Sequence, residues 1–174
     1  LDYVCHAKVP KLIEGDSRLI KDLVNDIKTL KIEKRLQSRL HAGVQSSGNL
    51  LNRPESSFKQ LSIVLKEMIW DYYLSHKHVD NQFIKRFPAN IEFLSSWYIR
   101  MQSGGYLTSH IHEQGWISGA VYLVIPESAT NSPDGAIELS TNGDDYPCLH
   151  ERFTKRIIPL STGDIVFFPS SVFH

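Results

Sequence analysis

The second half of the chain contains five short runs rich in β-branched and aromatic residues, and this pattern is its strongest constraint on the fold. Turns rich in glycine, asparagine and aspartate separate the runs, which cover residues 93–101, 117–125, 136–139, 156–160 and 164–168. Many short strands joined by such turns are typical of β-sandwiches and jelly rolls. Because the sequence changes character near Asn81, we predict a β-rich part in residues 81–174.

The first half carries helical patterns instead. Two sets of apolar residues recur at helical spacing, one from Leu19 to Leu30 and one from Leu61 to Tyr72. Ser57 and Gln60 have the spacing of a capping box at the start of the second helix. The polar, glycine-rich segment 43–51 is predicted as a connecting loop, with an edge strand as the alternative.

These patterns predict one α+β domain over residues 1–174. Residues 1–80 form a mainly helical part packed on one sheet, and residues 81–174 form a jelly-roll core. The chain starts with Leu1 and stops at His174, directly after the last predicted strand. We therefore expect a fragment of a longer protein, with a C-terminal sheet that is incomplete.

The amino-acid composition limits which binding partners and which cellular location are expected. Lys and Arg together number 19, as do Asp and Glu, so net charge gives no reason to expect a nucleic acid or an anionic membrane as partner. No apolar stretch approaches the roughly 20 residues that a membrane helix needs. The cysteines, Cys5 and Cys148, show no metal or disulfide spacing, which predicts a reducing, cytoplasmic location.

Three histidines form the candidate metal site. His110 and His112 are two residues apart, so their side chains point the same way if the segment is extended. His174, arriving from another strand, would complete a facial set of three ligands with open positions. The motif alone is weak, because His76 and His78 repeat it at a helix end. The alternative is that His110 and His112 are ordinary surface or hydrogen-bonded residues.

Further motifs surround these histidines. They are Ser118-Gly119 with Tyr122-Leu123, Gly163-Asp164 with Phe168-Pro169, and the upstream segment 45–51. With the histidines, they resemble the 2-oxoglutarate/Fe(II)-dependent oxygenases of the prolyl-hydroxylase-like superfamily, in a subgroup reading H-x-H…H. The resemblance covers about three quarters of the chain. It implies a double-stranded β-helix fold of the cupin-like type, an Fe(II) cofactor, and 2-oxoglutarate and dioxygen as co-substrates.

The resemblance also implies roles for individual residues. His110, His112 and His174 would bind the metal. Ser118 and Tyr122 would bind the distal carboxylate of 2-oxoglutarate, and Tyr98 is a weaker candidate for the same pocket. The alternative for Tyr122 is a core aromatic residue whose hydroxyl is satisfied locally. Apart from the resemblance, the position of Trp116 just after the H-x-H loop predicts that it lines the substrate entrance, with a packing role as the alternative. The basic residue that usually anchors 2-oxoglutarate follows the distal histidine and would lie beyond His174.

Position 112 departs from the superfamily pattern, because a histidine stands where an Asp or Glu is usual. A neutral ligand leaves the site one negative charge poorer. The leading prediction is a hydroxylase whose substrate, a peptide side chain or a small molecule, is unidentified. The alternatives are a three-histidine, cupin-like dioxygenase that uses no 2-oxoglutarate, and a non-enzymatic domain with a degenerate metal site.

Overall fold

The structure is a computed structural model that describes residues 1–13, 17–126, 133–148 and 152–174. The helices are α1 (Pro10–Ile13), α2 (Arg18–Thr29), α3 (Ser56–His76) and α4 (Gln82–Lys85), with a short 3-10 helix at Leu50–Asn52. The strands are β1 (Cys5–Lys8), β2 (Lys34–Arg35), β3 (Leu40–Ser46), β4 (Ile99–Leu107), β5 (Ile117–Val121), β6 (Ile137–Ser140), β7 (Lys155–Ile158) and β8 (Asp164–Pro169).

The described strands form three antiparallel sheets. Their orders are β1-β8-β5, β2-β3-β4 and β6-β7. No sheet closes on itself within the described part of the chain. The protein is thus an α+β structure, as predicted, and its arrangement is compatible with a jelly roll.

Strand β8 lies between two hydrophobic cores. Successive side chains of a strand point to opposite faces. Accordingly, Ile165 and Phe167 pack in the core beneath α2 and α3, whereas Val166 and Phe168 pack in a second core with Leu139 of β6. Burial on both faces explains why this strand reads as a continuous apolar run rather than an alternating one. The sheet β1-β8-β5 is therefore the middle layer.

The two predicted long helices are present and bury the predicted apolar faces. Leu19 and Leu23 of α2 are buried against the same core as α3. The prediction of a capping box at Ser57 and Gln60 is wrong, however. The N-cap of helix α3 is Glu55, two residues before Ser57, and no side-chain hydrogen bond caps the helix there. The Ser57 hydroxyl donates instead to Asp26 at 2.6 Å, which ties α3 to α2.

The segment predicted as a loop or edge strand contributes to the central strand of a sheet. Strand β3 pairs with β2 on one side and β4 on the other. Gly43 begins the segment predicted as a loop or edge strand, and an added Cβ there would lie 2.9 Å from Leu40 and 3.2 Å from the Arg100 carbonyl. The glycine permits this close strand approach, and the register shifts beside it, where Ala42 has a φ of 46°.

Strand β4 also differs from its predicted bounds of 93–101. It starts at Ile99 and runs through the expected turn at Gly104 and Gly105 to Leu107. A Cβ on Gly105 would lie 2.7 Å from the Ala42 carbonyl. As at Gly43, the missing side chain serves close packing between β3 and β4.

Within the described ranges, no helix is both long and apolar enough to cross a membrane.

Candidate metal centre

Three histidines from two separate segments converge at one end of the middle sheet. His110 and His112 lie in the connection between β4 and β5, and His174 lies five residues beyond β8. The ring centroids are 4.3 Å apart for His110 and His174, 4.8 Å for His112 and His174, and 5.3 Å for His110 and His112. One nitrogen of each ring lies within 4.8 Å of one nitrogen of the others.

Backbone hydrogen bonds hold the two segments in register. His110 and His174 exchange both of their backbone hydrogen bonds, each 3.1 Å long. The His112 amide donates to the Ser170 carbonyl at 2.9 Å. On the other side, Phe173 exchanges two backbone hydrogen bonds with Ser140 of β6. His174 is thus fixed between the H-x-H segment and the two-stranded sheet β6-β7, which is called the small sheet below.

Each imidazole uses its Nδ1 atom for a hydrogen bond. In His110 the partner is the Thr108 carbonyl at 2.9 Å, and in His174 it is the Val172 carbonyl at 3.1 Å. A carbonyl only accepts, so Nδ1 carries the proton in both rings, and in the neutral form of each ring Nε2 keeps a free lone pair. Among the described residues, no hydrogen bond occupies Nε2 of either ring.

His112 is oriented by hydroxyl groups instead. Its Nδ1 lies 2.9 Å from the Ser118 Oγ, which in turn lies 2.8 Å from the Ser170 Oγ. When Nδ1 donates to Ser118, the Nε2 atom of His112 is free like the other two. The donor set is then three neutral imidazole nitrogens with oriented rings, which fits a divalent first-row transition metal.

Burial favours the neutral form of these rings. Burial lowers the pKa of His112, and the neighbouring His110 lowers it further. Burial also lowers the pKa of His174 to about 4, with His110 and His112 acting in the same direction and the bond to Val172 opposing them. Because a metal binds the unprotonated imidazole, two of the three rings are prepared for a ligand role at neutral pH.

A salt bridge braces the segment that precedes His110. Arg39 donates to the Ser109 carbonyl at 3.0 Å and to Asp144 Oδ2 at 2.7 Å. The hydrogen bond from Arg39 lowers the pKa of Asp144. The adjacent Gly143 leaves no room for a side chain, since an added Cβ would lie 2.3 Å from the Ser109 Oγ.

Two aromatic side chains line the histidine cluster. Phe168 of β8 packs on His174 with centroids 4.5 Å apart, and Trp97 meets His112 edge-on at 5.6 Å. Trp97 lies inside the predicted strand 93–101, and nothing local in the sequence marks it as a site residue. Trp116, predicted at the entrance, stacks on Phe83 at 5.3 Å, and its buried Nε1 has no hydrogen-bond partner in the described structure.

The residues predicted to bind 2-oxoglutarate are not all brought together. Ser118 lies beside His112, where its hydroxyl contacts His112 and Ser170. Tyr122 packs in the core between β8 and the small sheet, and burial, aided by the charge of Asp164, raises the pKa of its phenol. Tyr98 lies beside α2, where it packs against the core beneath the helices.

Comparison with known proteins bears on residues 95–174, which include all three histidines. No curated protein and no solved structure matches the chain. Residues 95–174 match the model of a family described as "Putative 2OG-Fe(II) oxygenase", where 2OG is 2-oxoglutarate. This match confirms the resemblance to the 2-oxoglutarate/Fe(II)-dependent oxygenases over residues 95–174.

Proposed function

We propose that this protein is an Fe(II)- and 2-oxoglutarate-dependent oxygenase that hydroxylates a peptide side chain or a small molecule. Residues 1–174 would form one oxygenase domain, in which the strands of residues 81–174 belong to a double-stranded β-helix. The observation that carries the proposal is the convergence of His110, His112 and His174 inside the region that matches the family. A cytoplasmic location stays a prediction from cysteine usage.

The three histidines would hold the metal through Nε2. The Thr108 and Val172 carbonyls fix the protonated Nδ1 atoms of His110 and His174, so no tautomer change has to precede binding. Ser118 orients His112 as well, and the Nε2 atom of His112 is free for the metal when Nδ1 donates to the Ser118 hydroxyl. Bound Fe(II) would supply the activation of dioxygen, coupled to oxidation of 2-oxoglutarate to succinate and carbon dioxide.

The surroundings suit chemistry that must exclude water. Phe168 covers one side of His174, and Trp97 stands at the edge of His112. The core that contains Phe168 continues through Tyr122 to β6 and β7. The Tyr122 hydroxyl has no hydrogen bond in the described part of the chain, so it remains a candidate donor to a carboxylate.

A three-histidine dioxygenase that uses no 2-oxoglutarate is the second candidate. Two observations favour it. Position 112 is a histidine, and the hydroxyl of Ser118, one of the predicted co-substrate ligands, is already shared between His112 and Ser170. Both features are expected to weaken the binding of 2-oxoglutarate, which the leading proposal requires.

Anaerobic titration separates the two candidates. Protein loaded with Fe(II) is mixed with 2-oxoglutarate under anaerobic conditions and then exposed to oxygen. A weak visible charge-transfer band, followed by succinate formation, supports the 2-oxoglutarate-dependent enzyme. Binding of Fe(II) without a band or succinate contradicts that proposal and favours the second candidate. His174→Ala protein is the control, because it lacks one proposed ligand and should give neither signal.

A further inference from the structure

Arg35 of β2 is an exposed arginine whose guanidinium group is held from two sides. With the Gln45 amide oriented so that its oxygen faces the guanidinium, Nε and Nη2 donate to that oxygen at 3.0 and 2.9 Å. The Cζ atom of Arg35 lies 5.5 Å from the centroid of the Trp97 ring, in a cation–π contact. A long side chain that normally samples many rotamers is therefore fixed before any ligand arrives.

The anchor of Arg35 is itself rigid. Gln45 is only 2% exposed, and it lies on the central strand, opposite Arg35 on one side and Ile99 on the other. Among the described residues, Nη1 of Arg35 has no hydrogen-bond partner, and the guanidinium is not paired with a carboxylate. The buried amide thus orients a cation whose remaining donors are free.

Trp97 links this arginine to the histidine cluster. The Trp97 ring makes the cation–π contact with Arg35, and it also contacts His112 edge-on, with ring centroids 5.6 Å apart. The guanidinium of Arg39, by comparison, is occupied by Asp144 and the Ser109 carbonyl. Lys34 and Arg100 instead line a groove beside α2 together with Tyr98.

We propose that Arg35 is the residue that recognises a carboxylate on a molecule bound at the histidine site. A planar guanidinium with free donors binds a carboxylate through parallel hydrogen bonds, and orientation before binding reduces the entropic cost. The inference rests on the proposed function. The carboxylate is either the distal group of 2-oxoglutarate or an acidic group of the primary substrate.

Paired probes distinguish these two sources. Mn(II)-loaded protein is titrated by calorimetry with 2-oxoglutarate and with 2-oxopentanoate, which has the same chain length and no distal carboxylate. A pool of acidic hexapeptides is compared with the same pool carrying Asn and Gln in place of Asp and Glu. Arg35→Gln is the test variant. Lys34→Gln is the matched control, because it removes a neighbouring positive charge that lines the groove beside α2.

Arg35→Gln is expected to weaken binding of one acidic probe by at least about 10-fold and to leave its neutral counterpart unchanged. Loss for 2-oxoglutarate identifies the co-substrate as the source, and loss for the acidic peptides identifies the primary substrate. Equal affinities of wild type and Arg35→Gln for both acidic probes overturn the proposal, as does an equal loss in Lys34→Gln. Wild-type protein that binds Mn(II) but neither acidic probe also overturns it, whereas failure to bind Mn(II) refutes the proposed function.

Discussion

His110 and His174 exchange both backbone hydrogen bonds although 64 positions separate them in the chain, and each bond is 3.1 Å long. The pair fixes the distance between two rings whose centroids lie 4.3 Å apart. A geometry set by the backbone survives loss of a side chain, so substitution of one histidine should remove metal binding without moving the other two.

His174→Ala should abolish stabilisation by a divalent metal. Mn(II) at about 100 times its Kd should stabilise the wild-type protein by about 2.7 kcal/mol, and the variant should gain nothing. Thermal unfolding with and without Mn(II) measures the difference. His78→Ala is the control, because this exposed histidine belongs to the other H-x-H motif. An equal rise of Tm in His174→Ala and wild type would contradict a ligand role for His174.

Ser118→Ala should weaken metal binding without abolishing it. The Ser118 hydroxyl orients His112 through a 2.9 Å hydrogen bond, and loss of such a partner typically costs 10-fold or more in metal affinity. Isothermal titration with Mn(II) gives the Kd of each variant. Ser171→Ala, an exposed serine nearby, should match the wild type. Unchanged affinity in Ser118→Ala would show that Ser118 does not act through His112.

The candidate site was predictable because its signals are local. His110 and His112 face the same way through a spacing of two, and His174 follows a strand whose apolar run is unmistakable. The structure brings the three together. By contrast, the contact between Trp97 and His112 depends on tertiary packing, and no spacing rule predicts it.

The fold was harder to predict at glycines, which occur both in turns or loops and in closely packed strands. Gly43 lies in the segment predicted as a loop or edge strand and Gly105 in a predicted turn, but both sit inside paired strands, where the absence of Cβ allows close approach. The central position of β3 in its sheet, and with it the pairing of Gln45 with Arg35, was therefore not predicted. Sequence patterns report local preference, whereas these two positions are decided by the neighbouring strand.

Gly143→Ala should destabilise the protein and disturb the histidine cluster. The added methyl group would meet the Ser109 Oγ at 2.3 Å and the Phe173 ring at 2.9 Å, and these residues directly precede His110 and His174. Overpacking of this kind costs about 1–3 kcal/mol. Urea unfolding measures the loss, and Mn(II) titration should show weaker binding.

The double variant Ser109→Ala/Gly143→Ala tests the cause of that effect. Removing the Ser109 hydroxyl eliminates the closest clash, so part of the lost stability should return relative to the single Gly143→Ala variant. If the double variant is as unstable as the sum of both single substitutions, steric conflict with Ser109 is not the reason.

The carboxylate of Asp164 should make stability depend on pH in the acid range. Asp164 is 3% exposed and accepts hydrogen bonds from Lys8 Nζ at 2.6 Å and the Ser161 amide at 2.6 Å. Burial alone would raise its pKa, but the bonds from Lys8, Ser161 and His6, with the charge of Lys8, hold the pKa below the usual 3.8. A lowered carboxylate pKa stabilises the fold above the unfolded value and loses this contribution as the pH falls through the folded value.

Asp164→Asn should therefore cost stability at neutral pH and less at low pH. At pH 7 we expect a loss of about 2 kcal/mol, because a buried, charge-assisted hydrogen-bond acceptor is removed from β8. As the pH falls below 3.8 and through the lower pKa of folded Asp164, the wild type loses this contribution, so the difference between the two proteins should shrink. Urea unfolding at pH 7 and pH 3 measures both values. Asp22→Asn, which removes an exposed partner of Arg18, should change stability by no more than about 0.5 kcal/mol at either pH. A difference between wild type and Asp164→Asn that is the same at both pH values would show that the charge of Asp164 does not stabilise the middle sheet.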